Sequence, residues 1–252
     1  MKNIVRKKAG GDGGHQLQIA LKSIQDVDWR DKNILDLGSS NGLVTFGVLK
    51  ATDAGTIIGL EIDSNRVDRA IEIKNQNNEG RLEFCQGDIS NLAQFDNASF
   101  DGVFSNIVFQ QLKEKLHDVL CEAYRVLKPG GEAIINFNQE KSAVTLEFQK
   151  LVKNDDSVSS AKSINSELFR AEAEKAGFKI ESCSAEYDTY YYDNVDDLIG
   201  TPKKSSMAVK DVVLSPKKEI EIWEKLRQIF LQRKTTKGFE ETWNIVCAKL
   251  IK

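Results

Sequence analysis

Four short stations hold the residues whose types and spacing suit ligand chemistry. The first is Asp36-Leu37-Gly38-Ser39-Ser40-Asn41-Gly42, an acid running into a turn of small residues. The second is Glu61-Ile62-Asp63, the third Gly87-Asp88-Ile89 and the fourth Ser105-Asn106. Small residues let a backbone come close to a ligand. A dinucleotide loop spaces its glycines as GxGxxG, so that a pyrophosphate rests on a helix N-terminus. Here the glycines stand at 38 and 42 with Ser40 between them, and an acid at the preceding strand end discourages a diphosphate. Asp36 suits a cation, or a ligand carrying an ammonium group. Glu61 can accept hydrogen bonds from both hydroxyls of a ribose. Asp88 offers an acceptor for an adenine amino group, with Ile89 packing on the ring. Each station alone also has a plain structural role. The first is a βα turn with a helix cap, and Asp63 with Ser64 complements a helix dipole. Gly87-Asp88 is a common turn, and Asn106 is a cap for the next helix.

These stations need a scaffold that gathers strand ends. The chain supplies one as an alternation: "NILDL", "GTIIGLEID", "RLEFCQGD", "SFDGVFSN" and "EAIINFN" read as strands. "GLVTFGVLKA", "NRVDRAIEIKNQN" with Ser64 as its cap, and "KEKLHDVLCEAYRVL", stopped by Lys128-Pro129-Gly130-Gly131, read as helices. Ahead of them, "HQLQIALKSIQD" sets Leu17, Ala20, Leu21 and Ile24 on one helical stripe. Repeated βα units of this length imply a parallel sheet covered by helices on both faces. Ligands of such sheets bind beyond the carboxyl ends of the strands. After Asn138 the rhythm loosens into helices, a long strand ending Tyr190-Tyr191-Tyr192, a helical excursion containing Ile220, Trp223 and Leu226 as its buried stripe, and a last strand "FEETWNIVCAKLI".

In this order the stations resemble those of the class I S-adenosylmethionine-dependent methyltransferases. "ILDLGSSNG" is similar to their first motif, "GLEID" to their ribose acid and "CQGDI" to their adenine motif. "FDGVFSN" followed by "RVLKPGGEAIINF" resembles their fourth and fifth strands. The likeness spans roughly residues 30 to 138. It implies an α/β, Rossmann-like, seven-stranded and mostly parallel sheet with a helical cap insertion before the last strand. It implies S-adenosylmethionine as cofactor and S-adenosylhomocysteine as product, held by Gln16, Asp36, Gly38, Ser39, Ser40, Gly42, Glu61, Ile62, Asp88, Ile89 and Asn106. Family members usually carry glycine where Ser40 stands. On this reading residues 1–16 form an arm or lid, 17–252 the methyltransferase domain, and about 139–165 and 190–237 its cap elements.

Transfer of a methyl group from a sulfonium needs alignment and a dry pocket, and a general base only where the acceptor keeps a proton. No metal is needed. Of two histidines, His117 lies in an ordinary helix, and His15 lies where the glycine-rich arm meets the first helix, as a candidate base. Tyr190 and Tyr192 share one face of a strand and are candidates to line an acceptor pocket. An aromatic strand followed by "DNVDDLIGTP" is similar to the region before the cap in trans-aconitate, malonyl-carrier-protein and juvenile-hormone-acid carboxyl methyltransferases. It points to methylation of a small molecule on a carboxylate or hydroxyl oxygen.

Composition agrees with a small-molecule partner. The chain has 252 residues, 29% of them charged, with a net charge of -3, which argues against bulk nucleic-acid or membrane binding. Cys85, Cys121, Cys183 and Cys247 form no CxxC pair, so they read as core residues of a reduced, cytoplasmic protein rather than zinc ligands. No apolar run approaches a membrane span, and no signal-peptide core precedes the first helix. The rival readings are an RNA or protein methyltransferase on the same fold, and a cofactor-binding protein without catalysis.

Overall fold

The apolar runs become strands because turn residues such as glycine, aspartate or asparagine bound them and β-branched or aromatic residues recur in them. The computed structural model describes residues 14–159, 164–204 and 214–252, with backbone alone at 201–204. The strands are β1 (Asn33–Leu37), β2 (Thr56–Glu61), β3 (Leu82–Gln86), β4 (Phe100–Asn106), β5 (Leu127–Asn138), β6 (Lys179–Tyr192) and β7 (Phe239–Ile251). They lie side by side in the order β3-β2-β1-β4-β5-β7-β6. β1 pairs in parallel with β2 and β4, β2 with β3, and β4 with β5. β7 runs antiparallel to β5, from Glu132 opposite Ile251 to Asn138 opposite Ile245. The strand order reverses between β1 and β4, so the ends of β1, β2 and β4 form a topological switch point.

The helices are α1 (Gly14–Ser23), α2 (Leu43–Thr52), α3 (Ser64–Gln76), α4 (Leu116–Val126), α5 (Ala143–Lys153), α6 (Ser166–Lys175), α7 (Val195–Lys204) and α8 (Pro216–Leu231). Alternate strand residues feed two core layers. Leu35, Leu37, Val103 and Ile135 pack with α4 and α6, while Ile34, Ile57, Phe104 and Ile134 pack with α1, α2 and α3. Each buried Leu, Ile or Phe in these layers contributes about 1.5–3 kcal/mol.

Several local expectations shift. Asp63, not Ser64, caps α3, since its carboxylate accepts the Asn65 N–H at 2.9 Å. An aspartate is a stronger cap here, because its charge also faces the positive end of the helix. On α1 the buried apolar residues are Ile19 and Ala20, with Ile24 buried just beyond its end, and Leu21 is exposed. Lys128-Pro129-Gly130-Gly131 ends α4 but already belongs to β5, and its glycines exchange backbone hydrogen bonds with Lys252 beyond β7. Cys183 is buried and the other three cysteines only partly so.

The chain divides into two compact units. One comprises, of the described residues, 16–139, 164–186 and 245–252, and holds β1 to β5 with α2, α3, α4 and α6. The other comprises, of the described residues, 14–15, 140–159, 187–204 and 214–244, and holds α5, α7 and α8; residues 1–13 of the expected arm lie outside the described residues. In the latter Phe148 stacks on Trp223 at 4.9 Å, and Arg233 pairs with Glu147 at 2.8 Å. The apolar stripe of α8 is Ile222, Leu226 and Phe230, four residues apart, with Trp223 beside it. Ile220 sits on the far side of the helix and is 70% exposed. Among the described residues no helix is long and apolar enough to cross a membrane.

Candidate cofactor site

The first two stations meet at the ends of β1 and β2. Asp36 is buried, and Thr45, in the first turn of α2, donates its hydroxyl to Asp36 Oδ2 at 2.6 Å. That length belongs to a charge-assisted hydrogen bond. Burial pushes the Asp36 carboxyl up to about 7, with Thr45 opposing the shift and the Glu61 charge adding to it. Glu61 is also buried. Its Oε2 accepts the Ser40 N–H at 3.0 Å and its Oε1 the Asp63 N–H at 3.1 Å. Two backbone segments thus fix the carboxylate, and its remaining lone pairs suit ribose hydroxyls.

The turn between them is left-handed three times over, with φ of 84° at Gly38, 52° at Ser40 and 79° at Gly42. The glycines also make room. A Cβ at Gly38 would lie 2.5 Å from Val108 Cγ2, and one at Gly42 would lie 2.7 Å from Phe84 Cζ. Ser40 holds a conformation that costs an L-residue about 1 kcal/mol or more, and there its N–H reaches Glu61. The Ser39 hydroxyl is buried with no partner among the described residues.

The third and fourth stations are more engaged than the sequence suggests. Asp88 Oδ1 accepts the Ser90 N–H at 2.9 Å and the Ser90 hydroxyl at 2.7 Å, and Oδ2 pairs with Lys115 at 2.8 Å. The Lys115 bond, then that of Ser90, holds the carboxyl down to about 2. Ile62 is 63% exposed and offers an open apolar face, whereas Ile89 is buried in the core beside Leu92 and Leu116. Asn106 caps no helix: the next element is a 3-10 turn (Phe109–Gln111) that starts after Val108. Its Nδ2 instead donates to the Gln16 carbonyl at 3.1 Å, and its Oδ1 accepts from Asn136 at 3.0 Å. Ile107 has a φ of 60°, an outlier for a β-branched residue, and the kink delivers Val108 onto Gly38.

The acceptor candidates belong to the other unit. His15 is buried, edge-on to Tyr190 at 5.6 Å and tilted over Trp243 at 4.8 Å. Burial pushes its imidazole down to about 4, so it is neutral at pH 7. Tyr190 and Tyr192 are both buried, and the Tyr192 hydroxyl donates to Glu241 Oε2 at 3.3 Å. His117 is half exposed beside Glu172 at 3.1 Å. Sequence reasoning missed Thr45, Lys115, Asn136 and Glu241. Only Thr45 carried a signal, since the first turn of a helix after a βα turn points back at the strand end. A groove of about 520 Å³ runs along β3, lined by Ile58, Phe84, Cys85, Gln86 and Phe95.

The donor set fits S-adenosylmethionine. Two buried carboxylates stand at neighbouring strand ends, and no side-chain cation answers them among the described residues. A ligand with a cationic amino-acid end and a ribose complements them, and a diphosphate does not. A Rossmann-like sheet with an acid before its first turn and another ending its second strand is the arrangement expected from the likeness to the class I S-adenosylmethionine-dependent methyltransferases. Residues 35–135 match the family model described as a methyltransferase domain. A sterol 24-C-methyltransferase of Neurospora crassa is 38% identical over 103 residues, covering 40% of this chain and 26% of that protein. An arsenite methyltransferase of Halobacterium salinarum is 34% identical over 108 residues, covering 42% and 27%. The chain thus spans about a quarter of the length of these relatives. The solved structure of a Haemonchus contortus phosphoethanolamine N-methyltransferase with S-adenosylmethionine superposes with a TM-score of 0.57 at 20% identity, over 93% of this chain and 52% of that one. Residues 35–135 of this chain are thus similar to a methyltransferase domain, and the fold is the Rossmann-like one of the solved neighbour.

Proposed function

We propose that the chain methylates a small-molecule acceptor by in-line displacement, with a carboxylate or hydroxyl oxygen as the receiving atom. The observation that carries this reading is the buried Asp36–Glu61 pair across a left-handed turn, an arrangement suited to a ligand with a positive end and vicinal hydroxyls. Glu61 receives the ribose hydroxyls, and Asp36, steadied by Thr45, faces the cationic amino-acid end. Ile62 lends its exposed face to the adenine, and Asp88 accepts from the adenine amino group. Asn106 ties α1 to the end of β4 through Gln16. When bound, the cofactor supplies a methyl group already activated by positive sulfur, so the chain contributes alignment and exclusion of water. His15, neutral at pH 7, is the candidate to accept a proton from a hydroxyl acceptor; a carboxylate acceptor has no proton to lose.

The relatives named for sterol and arsenite methylation support a small acceptor, and the net charge of -3 gives no support to RNA. The test is a homocysteine-coupled screen over carboxylates, phenols and amines, followed by product mass. An increase of 14 mass units on a small oxygen acceptor is the expected result, one methylene being added. Turnover only on tRNA or a protein substrate would overturn it, and so would cofactor binding with no turnover on any acceptor.

A further inference from the structure

Helix α4 carries a titratable cluster outside the residues assigned to the cofactor. Its apolar residues Leu116, Val119, Leu120, Ala123 and Val126 are buried, and they fix the phase of the helix. His117 and Cys121 fall one turn apart at the edge of that buried face. There Cys121 Sγ and His117 Nε2 stand 3.4 Å apart, within reach of an S–H···N hydrogen bond. The other ring nitrogen, Nδ1, lies 3.1 Å from Glu172 Oε2 on α6. Lys175 donates to Glu172 Oε1 at 2.6 Å and holds that carboxyl below its ordinary range. An ionised acid at Nδ1 draws the ring proton there and leaves Nε2 to accept. Thiol, imidazole and carboxylate thus form a relay, the order in which a base-activated nucleophile is built. The thiol is partly buried and lines a groove of about 500 Å³, whose wall includes Ser90, Asn91, Asp118, Glu122 and Arg125.

Burial, and then the charges of Asp118, Glu122 and Glu172, push the Cys121 thiol up. Free thiolate is therefore scarce, and the proton has to leave through His117 as the sulfur attacks. The same three carboxylates select the partner. Arg125 is engaged by Glu122 and by the carbonyls of Leu92 and Phe95, and Lys175 by Glu172. The surroundings of the thiol therefore repel an anion and attract a cation. We propose that Cys121 is a thiol–disulfide exchange site, activated by His117 and Glu172, for a small disulfide that carries a cationic amino group. His117 Nε2 accepts the thiol proton while Sγ attacks one sulfur of the reagent. A bond forms between Cys121 Sγ and that sulfur, the reagent's own S–S bond breaks, and the departing thiolate takes the proton from the imidazolium. Cys121 is oxidised to a mixed disulfide, and the released half of the reagent is reduced to a thiol. The proposal does not depend on which acceptor is methylated.

The experiment treats the full, reduced chain with cystamine and, in parallel, with 3,3′-dithiodipropionic acid, a dicarboxylate counterpart, and follows each cysteine by peptide mass. Cys85 and Cys247, partly buried like Cys121, are the internal standards. Cystamine is expected to label Cys121 about tenfold or more faster than either standard, and about tenfold or more faster than the dicarboxylate does. His117→Gln is expected to slow labelling of Cys121 about tenfold while the standards keep their rates, which shows that the fold is retained. Labelling of Cys121 no faster than that of Cys85 and Cys247, an equal rate with the dicarboxylate, or an undiminished rate in His117→Gln would overturn the proposal. The contrast between cysteines and between probes in the unaltered chain decides the matter even where the variant fails to fold.

Discussion

At the scale of the residue, Asp36 sets the behaviour of the site. Its folded carboxyl titrates near 7 against 3.8 for the free group. A raised carboxyl means that stability is full below the unfolded value and is lost as pH rises through the folded one. Asp36→Asn, which can keep the Thr45 hydrogen bond, is therefore expected to stabilise the ligand-free chain at pH 8, by up to about 4 kcal/mol, and hardly at all at pH 4. Chemical denaturation of both proteins at both pH values checks it. A positive ligand end favours the ionised acid, so S-adenosylmethionine affinity should rise as pH rises through 7, with a proton released on binding. Ser40 has the opposite character, a residue carrying strain. Ser40→Gly is expected to gain about 1 kcal/mol of stability with unchanged S-adenosylhomocysteine affinity. Weakened affinity would mean that the hydroxyl holds the ligand. The strand-end acids were legible because an acid closing an apolar run has few plain explanations. Their partners were not: Lys115 reaches Asp88 across 27 residues, and nothing local announces it.

At the scale of the element, the βα turn after β1 depends on the kink after β4. Gly38→Ala is expected to cost about 2–4 kcal/mol, from the forced left-handed alanine and from the clash with Val108. Adding Val108→Ala should recover the clash and leave the backbone cost, so the two changes couple in a double-mutant cycle. Strict additivity in denaturant unfolding would break this link between the turn and the kink. Helix positions were legible from apolar spacing, but spacing gives the period of a helix better than its phase. Leu21 and Ile220 were assigned to buried stripes and lie exposed, because the neighbouring Ile19 and Ile222 offered equally good starting points and the surrounding packing chose them. The cap of α3 moved by one residue for a similar local reason, Asp63 outcompeting Ser64.

At the scale of the whole molecule, the parallel half of the sheet follows from repeated βα units, which is why β1 to β5 could be read from the sequence. The antiparallel return of β7 beside β5 could not, because that pairing joins segments more than a hundred residues apart and rests on tertiary contacts. Sequence distance also hid Glu241, which meets Tyr192 from 49 positions away. A cofactor that binds the folded chain alone raises its melting temperature, so S-adenosylhomocysteine should do so and NAD should not. The most direct measurement is titration calorimetry of S-adenosylmethionine into the intact chain, Asp36→Ala and Glu61→Ala. One-to-one binding to the intact chain is expected, weakened about tenfold or more in each variant while its fold is retained. Absence of binding to the intact chain, or undiminished affinity in both variants, would contradict the account.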